Sequence, residues 1–248
     1  MEDNDPEMID GPNGRIACRM TAGRTPTLVW LGGYASDMLG TKAQALARHA
    51  AAVGQGCLRF DYTGHGESDG RFEDGTISRW LADSQAAIAT RAPGPKLLVG
   101  SSMGGWIALL IAMRIPDAIS GMVLIAPGTD FTEELVAPRL TEAQKTALER
   151  DGVVRTGTSG HPAETYTRAL LEDGRGHRLL GGPIALPFPV RILHGMADDV
   201  VPTAHVLRLA ERIEAPSLTV TLVKGGDHRL SEPDDIDRLC TAVDELLA

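Results

Sequence analysis

The chain has 248 residues, with 24 Lys and Arg against 33 Asp and Glu and a formal net charge of −9. This acidic balance, without a run of basic residues, excludes nucleic acid as a partner, because phosphate backbones are held by basic faces. With 43% hydrophobic and 23% charged residues the chain can build a core beneath a solvated surface, which excludes wholesale disorder.

The first residues, MEDNDPEMIDGPNG, are acidic, and residues 1–14 are expected to be flexible. They have neither the apolar stretch of an export signal nor the arginines of an organellar transit peptide. Short β-rich runs follow at Arg15–Ala22, Thr27–Gly33, Gly56–Tyr62, Lys96–Ser102, Gly121–Pro127, Val190–Met196 and Ser217–Gly225. Most are continuous apolar runs, the pattern of strands buried on both faces, so the fold class is α/β with a mostly parallel central sheet flanked by helices. Between them Thr41–Val53 is rich in helix formers, and Val206, Leu209, Ala210 and Ile213 recur at helical spacing. Ile236, Leu239, Cys240, Val243, Leu246 and Leu247 keep that period behind Pro233, a first-turn proline, and predict a closing helix.

The interval from Gly128 to Pro189 breaks this rhythm, being roughly 60 residues where such connections usually take a handful. Helices are predicted over Thr132–Arg150 and Pro162–Leu171, with loops at TGTSGH and GRGHRLLGGP. The expected organisation is a core of residues 1–127 and 190–248 with a helical cap, residues 128–189, over the carboxyl edge of the sheet, where ligands bind in open α/β folds. Apolar stretches such as Trp106–Met113 fall short of the ~20 residues of a membrane helix, so no stable membrane insertion is expected. Cys18, Cys57 and Cys240 are too scattered for a disulfide framework or a zinc ribbon and fit a reducing compartment.

The strongest chemical signal is Gly100-Ser101-Ser102-Met103-Gly104, between the run KLLVG and the apolar stretch GWIALLIAM. In a strand, tight turn, helix context, G-x-S-x-G exposes a serine Oγ on a strained turn that larger flanking residues would obstruct. Centring the pattern on Ser101 would need glycine at Val99 and Met103, so Ser102 is the candidate nucleophile. A serine needs a base, and the base an orienting acid. Asp198 follows the run VRIL and leads a D-x-x-V-P spacing, while Asp199 is expected to cap the next helix or face water; Asp130 is the rival acid. His228, on the loop after LTVTLVKGG, suits the base by the Ser, Asp, His order of this motif, with His194 as its rival, expected to point into the turn that it opens. The remaining histidines carry no such signal, and His49, His161 and His177 are expected at the surface. Backbone N–H groups of Met103 and of Tyr34, behind the pair Gly32-Gly33, are the candidate oxyanion hole.

Together these residues resemble the α/β-hydrolase superfamily over nearly the whole chain, and Asp61-Tyr62-Thr63-Gly64-His65-Gly66-Glu67-Ser68 is similar to its structural D-x-x-G-x-G-x-S turn. The segments GYASDMLGTKA, RFDYTGHGESDG, VGSSMGGW, LHGMADDVVP and GDHR resemble the abhydrolase-domain palmitoyl-protein thioesterase and mycophenolic acid acyl-glucuronide esterase family. The resemblance implies an α/β-hydrolase fold, a triad on Ser102, Asp198 and His228, and hydrolysis of S-acyl cysteine or acyl-glucuronide esters. Without a transit peptide, a bacterial, cytoplasmic relative is expected.

The reading is therefore a serine esterase or thioesterase that needs no cofactor and no metal, acting on a small-molecule or S-acylated protein substrate; oligomeric state is left open. Leu135, Val136, Leu140, Leu170 and Leu171 either line an acyl channel or pack the cap. A ligand-binding α/β-hydrolase with little turnover is the alternative. Dinucleotide binding at Gly64-His65-Gly66 fails because Asp69 takes the third glycine position.

Overall fold

The computed structural model describes residues 5–157 and 164–248. Its strands are β1 (Glu7–Gly11), β2 (Gly14–Thr21), β3 (Arg24–Leu31), β4 (Gln55–Phe60), β5 (Lys96–Ser101), β6 (Ile119–Ile125), β7 (Val153–Thr156), β8 (Glu164–Thr167), β9 (Ile184–Ala185), β10 (Val190–Gly195), β11 (Ile213–Glu214) and β12 (Leu218–Val223). Its α-helices are α1 (Thr41–Val53), α2 (Ile77–Arg91), α3 (Met103–Arg114), α4 (Glu142–Asp151), α5 (Arg168–Arg175), α6 (Thr203–Arg212) and α7 (Pro233–Leu247).

Eight strands form the central sheet in the order β1-β2-β4-β3-β5-β6-β10-β12. From β4 to β12 every pairing is parallel; β2 joins β4 antiparallel, and β1 pairs antiparallel with β2. The continuous apolar runs are explained by burial on both faces: every residue of β4 and of β5 is buried. One face packs Leu28, Trp30, Leu97 and Val123 against Leu46 of α1 and Leu239 and Val243 of α7. The opposite face packs Val29, Leu98 and Leu124 with Trp80 of α2, Trp106 of α3 and Leu209 of α6. The α3 helix is buried nearly all round, so it is anchored along its whole length and holds its N-terminus fixed at the end of β5.

Several sequence expectations are corrected. Of residues 1–14, expected as a flexible lead, 1–4 lie outside the described residues, and Glu7–Gly11 is a strand: Ile9 is buried and β1 is hydrogen-bonded to β2 in register Ile9 with Ile16. The single helix expected over Thr132–Arg150 is three pieces: a π-helical turn Thr132–Val136, a 3-10 turn Ala137–Arg139, and α4. Pro138 lacks an N–H and Leu140 is extended, so the first helix stops; Thr141 restarts the chain with a capping box to Gln144. Of the helix expected over Pro162–Leu171, Pro162 and Ala163 lie outside the described residues, as does His161. Glu164–Thr167 is a strand, paired antiparallel with β7. Thr165, Tyr166 and Thr167 are β-formers, and Thr167 then caps α5 by accepting from Leu170 N–H. Ile213, read as helical, belongs to β11, which pairs with β9.

The segment between β6 and β10 is thus a mixed α and β insert rather than a helical one. It is tied to the core by specific polar contacts. Trp106 Nε1–H donates to His177 O at 3.1 Å, and Asp173 accepts from both Ser78 N–H and Ser78 Oγ–H, at 2.8 and 2.6 Å, at the start of α2. Asp130 is fully buried and accepts from Leu179 and Leu180 N–H at 2.9 Å each. Burial nonetheless raises its pKa above the usual carboxylate range.

Candidate active site

Ser102 stands between β5 and α3 with φ 53° and ψ −118°, a sparsely populated positive-φ conformation that costs on the order of 1–3 kcal/mol for a side-chain-bearing residue. The turn is held by Ser102 N–H donating to Ile125 O at 2.9 Å and by Gly128 N–H donating to Ser102 O at 3.0 Å. The flanking glycines are sterically required. A Cβ on Gly104 would lie 2.0 Å from Leu31 O, and one on Gly100 would lie 2.5 Å from Gly104 O. The sequence register centred on Ser102 is therefore the one the backbone can build.

His228 Nε2 is 3.0 Å from Ser102 Oγ, and His228 Nδ1 is 2.8 Å from Asp198 Oδ2. Because a carboxylate only accepts, Nδ1 carries the imidazole proton and Nε2 is left to accept from the serine hydroxyl. Asp198 is itself fixed, with Oδ1 accepting from Val200 N–H at 2.9 Å and Val201 N–H at 2.8 Å and a side chain 0% exposed. The loops bearing Asp198 and His228 touch backbone to backbone: Ala197 N–H donates to Gly226 O at 2.9 Å, and a Cβ on Gly195 would stand 2.3 Å from that oxygen. Asp227 Oδ1 accepts from Arg229 and Leu230 N–H and shapes the turn around His228. Lys42 of α1 donates through Nζ to Arg229 O, and burial pushes its pKa down to about 8.

Met103 opens α3, so its N–H has no partner within the helix. The β3–α1 loop comes against the same turn, since a Cβ on Gly33 would lie 3.4 Å from Ser102 Cβ. Tyr34 follows this point of closest approach. Its ring is stacked on Tyr166 of the insert, with centroids 5.3 Å apart, and its hydroxyl donates to Thr165 O. Phe72, Trp80 and Phe131 surround it with ring centroids at 4.9, 5.8 and 5.7 Å.

The family model described as serine aminopeptidase S33 matches residues 22–168, more than half of the chain. The chain belongs to this α/β-hydrolase family. Among relatives of this α/β-hydrolase, the mitochondrial palmitoyl-protein thioesterase ABHD10 of Mus musculus is 36% identical over 235 residues, covering 94% of this chain and 78% of that protein. The structure of mouse ABHD10 superposes with a TM-score of 0.89 at 32% identity, covering 98% of each chain. A solved structure of a protein from Agrobacterium vitis S4 gives a TM-score of 0.93 at 44% identity, covering 98% of this chain and 99% of that one. A monoacylglycerol lipase of Mycolicibacterium smegmatis is 25% identical over 218 residues, covering 76% of this chain and 77% of the relative. The named relatives include a thioesterase and a lipase, and this chain is likewise an ester-hydrolysing enzyme.

In this α/β-hydrolase, Ser102, His228 and Asp198 converge, and the rival acid and base do not take their places. Asp130 faces Leu179 and Leu180 in the insert rather than a histidine. His194 is 0% exposed and lies towards the turn after β10, with Nδ1 3.8 Å from Asp198 Oδ2, and it does not reach Ser102 in place of His228. Asp199 is exposed, the second of its two expected settings, and α6 has Pro202 at its N-cap and no side-chain cap. His49 and His177 are not simple surface groups: His49 pairs with Asp244 at 2.7 Å, and His177 Nε2 lies 2.7 Å from Ser78 Oγ. Leu135, Val136, Leu140, Leu170 and Leu171 are all buried and packed together with the core. The grip of Thr165 and Tyr166 on Tyr34 was not read from sequence, because the partners are about 130 residues apart and share no local pattern.

Proposed function

We propose that the chain hydrolyses carboxylic esters or thioesters through an acyl-enzyme, with a small-molecule or S-acylated protein substrate. The observation that carries this is the unbroken relay Ser102 Oγ, His228 Nε2, His228 Nδ1, Asp198 Oδ2, with links of 3.0 and 2.8 Å. Ser102 attacks the acyl carbonyl as His228 takes its proton, and His228 then returns that proton to the leaving alkoxide or thiolate. Asp198 stays ionised, held by Val200 and Val201 N–H, and keeps the imidazole in the useful tautomer. Met103 and Tyr34 N–H receive the oxyanion, a contribution on the order of 3 kcal/mol per donor. Water, deprotonated by His228, releases the acid and restores the serine. The insert packs across the Tyr34 ring and acts as the cap of the acyl site. Resemblance to ABHD10, a palmitoyl-protein thioesterase by name, supports thioesters as one substrate class.

The test is hydrolysis of p-nitrophenyl esters from two to sixteen carbons and of an S-acylated cysteine peptide by wild type and Ser102→Ala. Turnover that vanishes with Ser102 is the expected result, and the chain-length optimum measures the acyl site. Turnover that survives in Ser102→Ala, or failure of a fluorophosphonate to label Ser102, would overturn the proposal.

A further inference from the structure

His194 lies in β10 beside the catalytic relay and has no role in the mechanism above. Its side chain is 0% exposed, and neither ring nitrogen makes a hydrogen bond among the described residues. A buried polar group left unpaired costs about 1–3 kcal/mol, so a leucine would serve packing better at this place. What the histidine has in reach is the acid: Nδ1 is 3.8 Å from Asp198 Oδ2, the oxygen that also takes His228 Nδ1–H.

We propose that His194 is a positioning residue for the Asp198–His228 pair: a neutral imidazole with its proton on Nδ1, aimed at Asp198 Oδ2, that holds the carboxylate anionic while His228 is an imidazolium. This inference rests on the triad reading of Ser102, His228 and Asp198. Asp198 Oδ1 is occupied by two backbone donors, whereas Oδ2 has His228 alone at short range. A second N–H on Oδ2 disperses the carboxylate charge and opposes transfer of the His228 proton to it. Apo contacts of this kind are often long and tighten as charge develops. The titratable groups facing His194 are Asp198 on the loop after β10, His228 on the loop before α7, and His205 on α6, which is hydrogen-bonded to Thr129 O at 2.8 Å. Burial and the neighbouring His228 push His194 towards its neutral form against the pull of Asp198, and burial does the same for His205, so neither adds a positive charge that would compete with His228.

The sign follows. With the His194 N–H removed, Asp198 becomes a stronger partner for the His228 proton, His228 gives it up at higher pH, and the acid limb of kcat/KM moves up. The experiment compares pH profiles of p-nitrophenyl ester hydrolysis for wild type, His194→Leu, His194→Asn and His194→Gln. Asn places an amide N–H near the Nδ1 position, and Gln places one near Nε2. The expected result is a limb raised by roughly half a unit, about a threefold loss of activity below it, in Leu and Gln, with Asn matching wild type. A limb that stays in place in Gln, or that moves equally in Asn and Gln, overturns the proposal even if His194→Leu fails to fold. A structural role alone would lower the melting temperature and leave the limb where it is, which also overturns it. Ser102→Ala and His228→Asn are assayed alongside: surviving turnover in these refutes the triad reading, whereas inactive controls with an unmoved His194 limb refute this inference only.

Discussion

Replacing Asp198 by Asn tests the relay where it has the least freedom. Oδ1 of Asp198 accepts two backbone N–H groups, from Val200 at 2.9 Å and Val201 at 2.8 Å, and Oδ2 faces His228 Nδ1 at 2.8 Å. An asparagine keeps the backbone bonds only with its carbonyl oxygen at the Oδ1 position, which puts its NH2 against His228. The reverse orientation would lose both bonds at about 1 kcal/mol each, so the first is favoured by ~2 kcal/mol, roughly 30-fold. His228 Nδ1 must then accept, and its proton moves to Nε2, pointing at Ser102 Oγ. A ring already protonated at Nε2 cannot take the serine proton. The expected fall in kcat is on the order of 10⁴, about 5.5 kcal/mol, the size of the tautomer effect in serine triads. Initial rates on a p-nitrophenyl ester measure it, with thermal melting to confirm the fold. Asp199→Asn, at an exposed neighbouring position, serves as the control and should stay close to wild type. A well-folded Asp198→Asn enzyme keeping a tenth of wild-type kcat would refute the tautomer argument and the role given to Asp198.

Gly104→Ala should destabilise the protein by ~3 kcal/mol or prevent folding, since its Cβ meets Leu31 O at 2.0 Å, while Gly105→Ala, with Pro127 Cβ at 3.0 Å, should be milder; chemical denaturation separates the two. His65 is buried among the Tyr62, Phe72 and Trp80 rings, and burial pushes its pKa down to about 4. Between the unfolded value near ~6.5 and this one the unfolded chain binds the proton and the native state does not, so its contribution is intact above pH 6.5 and lost as pH falls through that window. Against His65→Leu, wild type should lose roughly 2 kcal/mol of relative stability between pH 7 and pH 4.5 in urea unfolding; parallel curves would contradict this. The Lys42 ammonium donates to Arg229 O, next to His228, and burial pushes its pKa down to about 8, so wild-type kcat should decline about two- to fivefold above that pH, and Lys42→Arg, always charged, should not follow.

What could be read from sequence was what is decided locally. The elbow is legible because the tight turn at Ser102 brings Leu31 O against position 104 and Gly104 O against position 100, leaving only glycine at both. Parallel strands are legible because burial on both faces writes unbroken apolar runs. Asp198 and His228 follow from chain order at strand ends. Where pairing partners are distant, the sequence is silent. In β1 only Ile9 is buried, so a strand zipped to β2 looks like a polar tail. Thr165 and Tyr166 meet Tyr34 from about 130 residues away in the chain, and His194 acquires its meaning from loops that bring Asp198 and His228 around it. The insert reads as helical because α4 and α5 are there, but Pro138 ends the chain's helical run before α4 and the β-forming run Thr165–Thr167 forms a strand before α5.

The contact between Tyr34 and the insert bears on how such an enzyme can be re-engineered. Thr165 O and the Tyr166 ring hold the residue whose N–H is assigned to the oxyanion, so the insert is not an interchangeable attachment. With the insert as the cap of the acyl site, as proposed above, a chimera that receives a relative's insert exchanges this grip together with the acyl pocket. On that reading substrate range and turnover travel together in a graft, and a design meant to alter the first alone would keep Thr165 and Tyr166 in place.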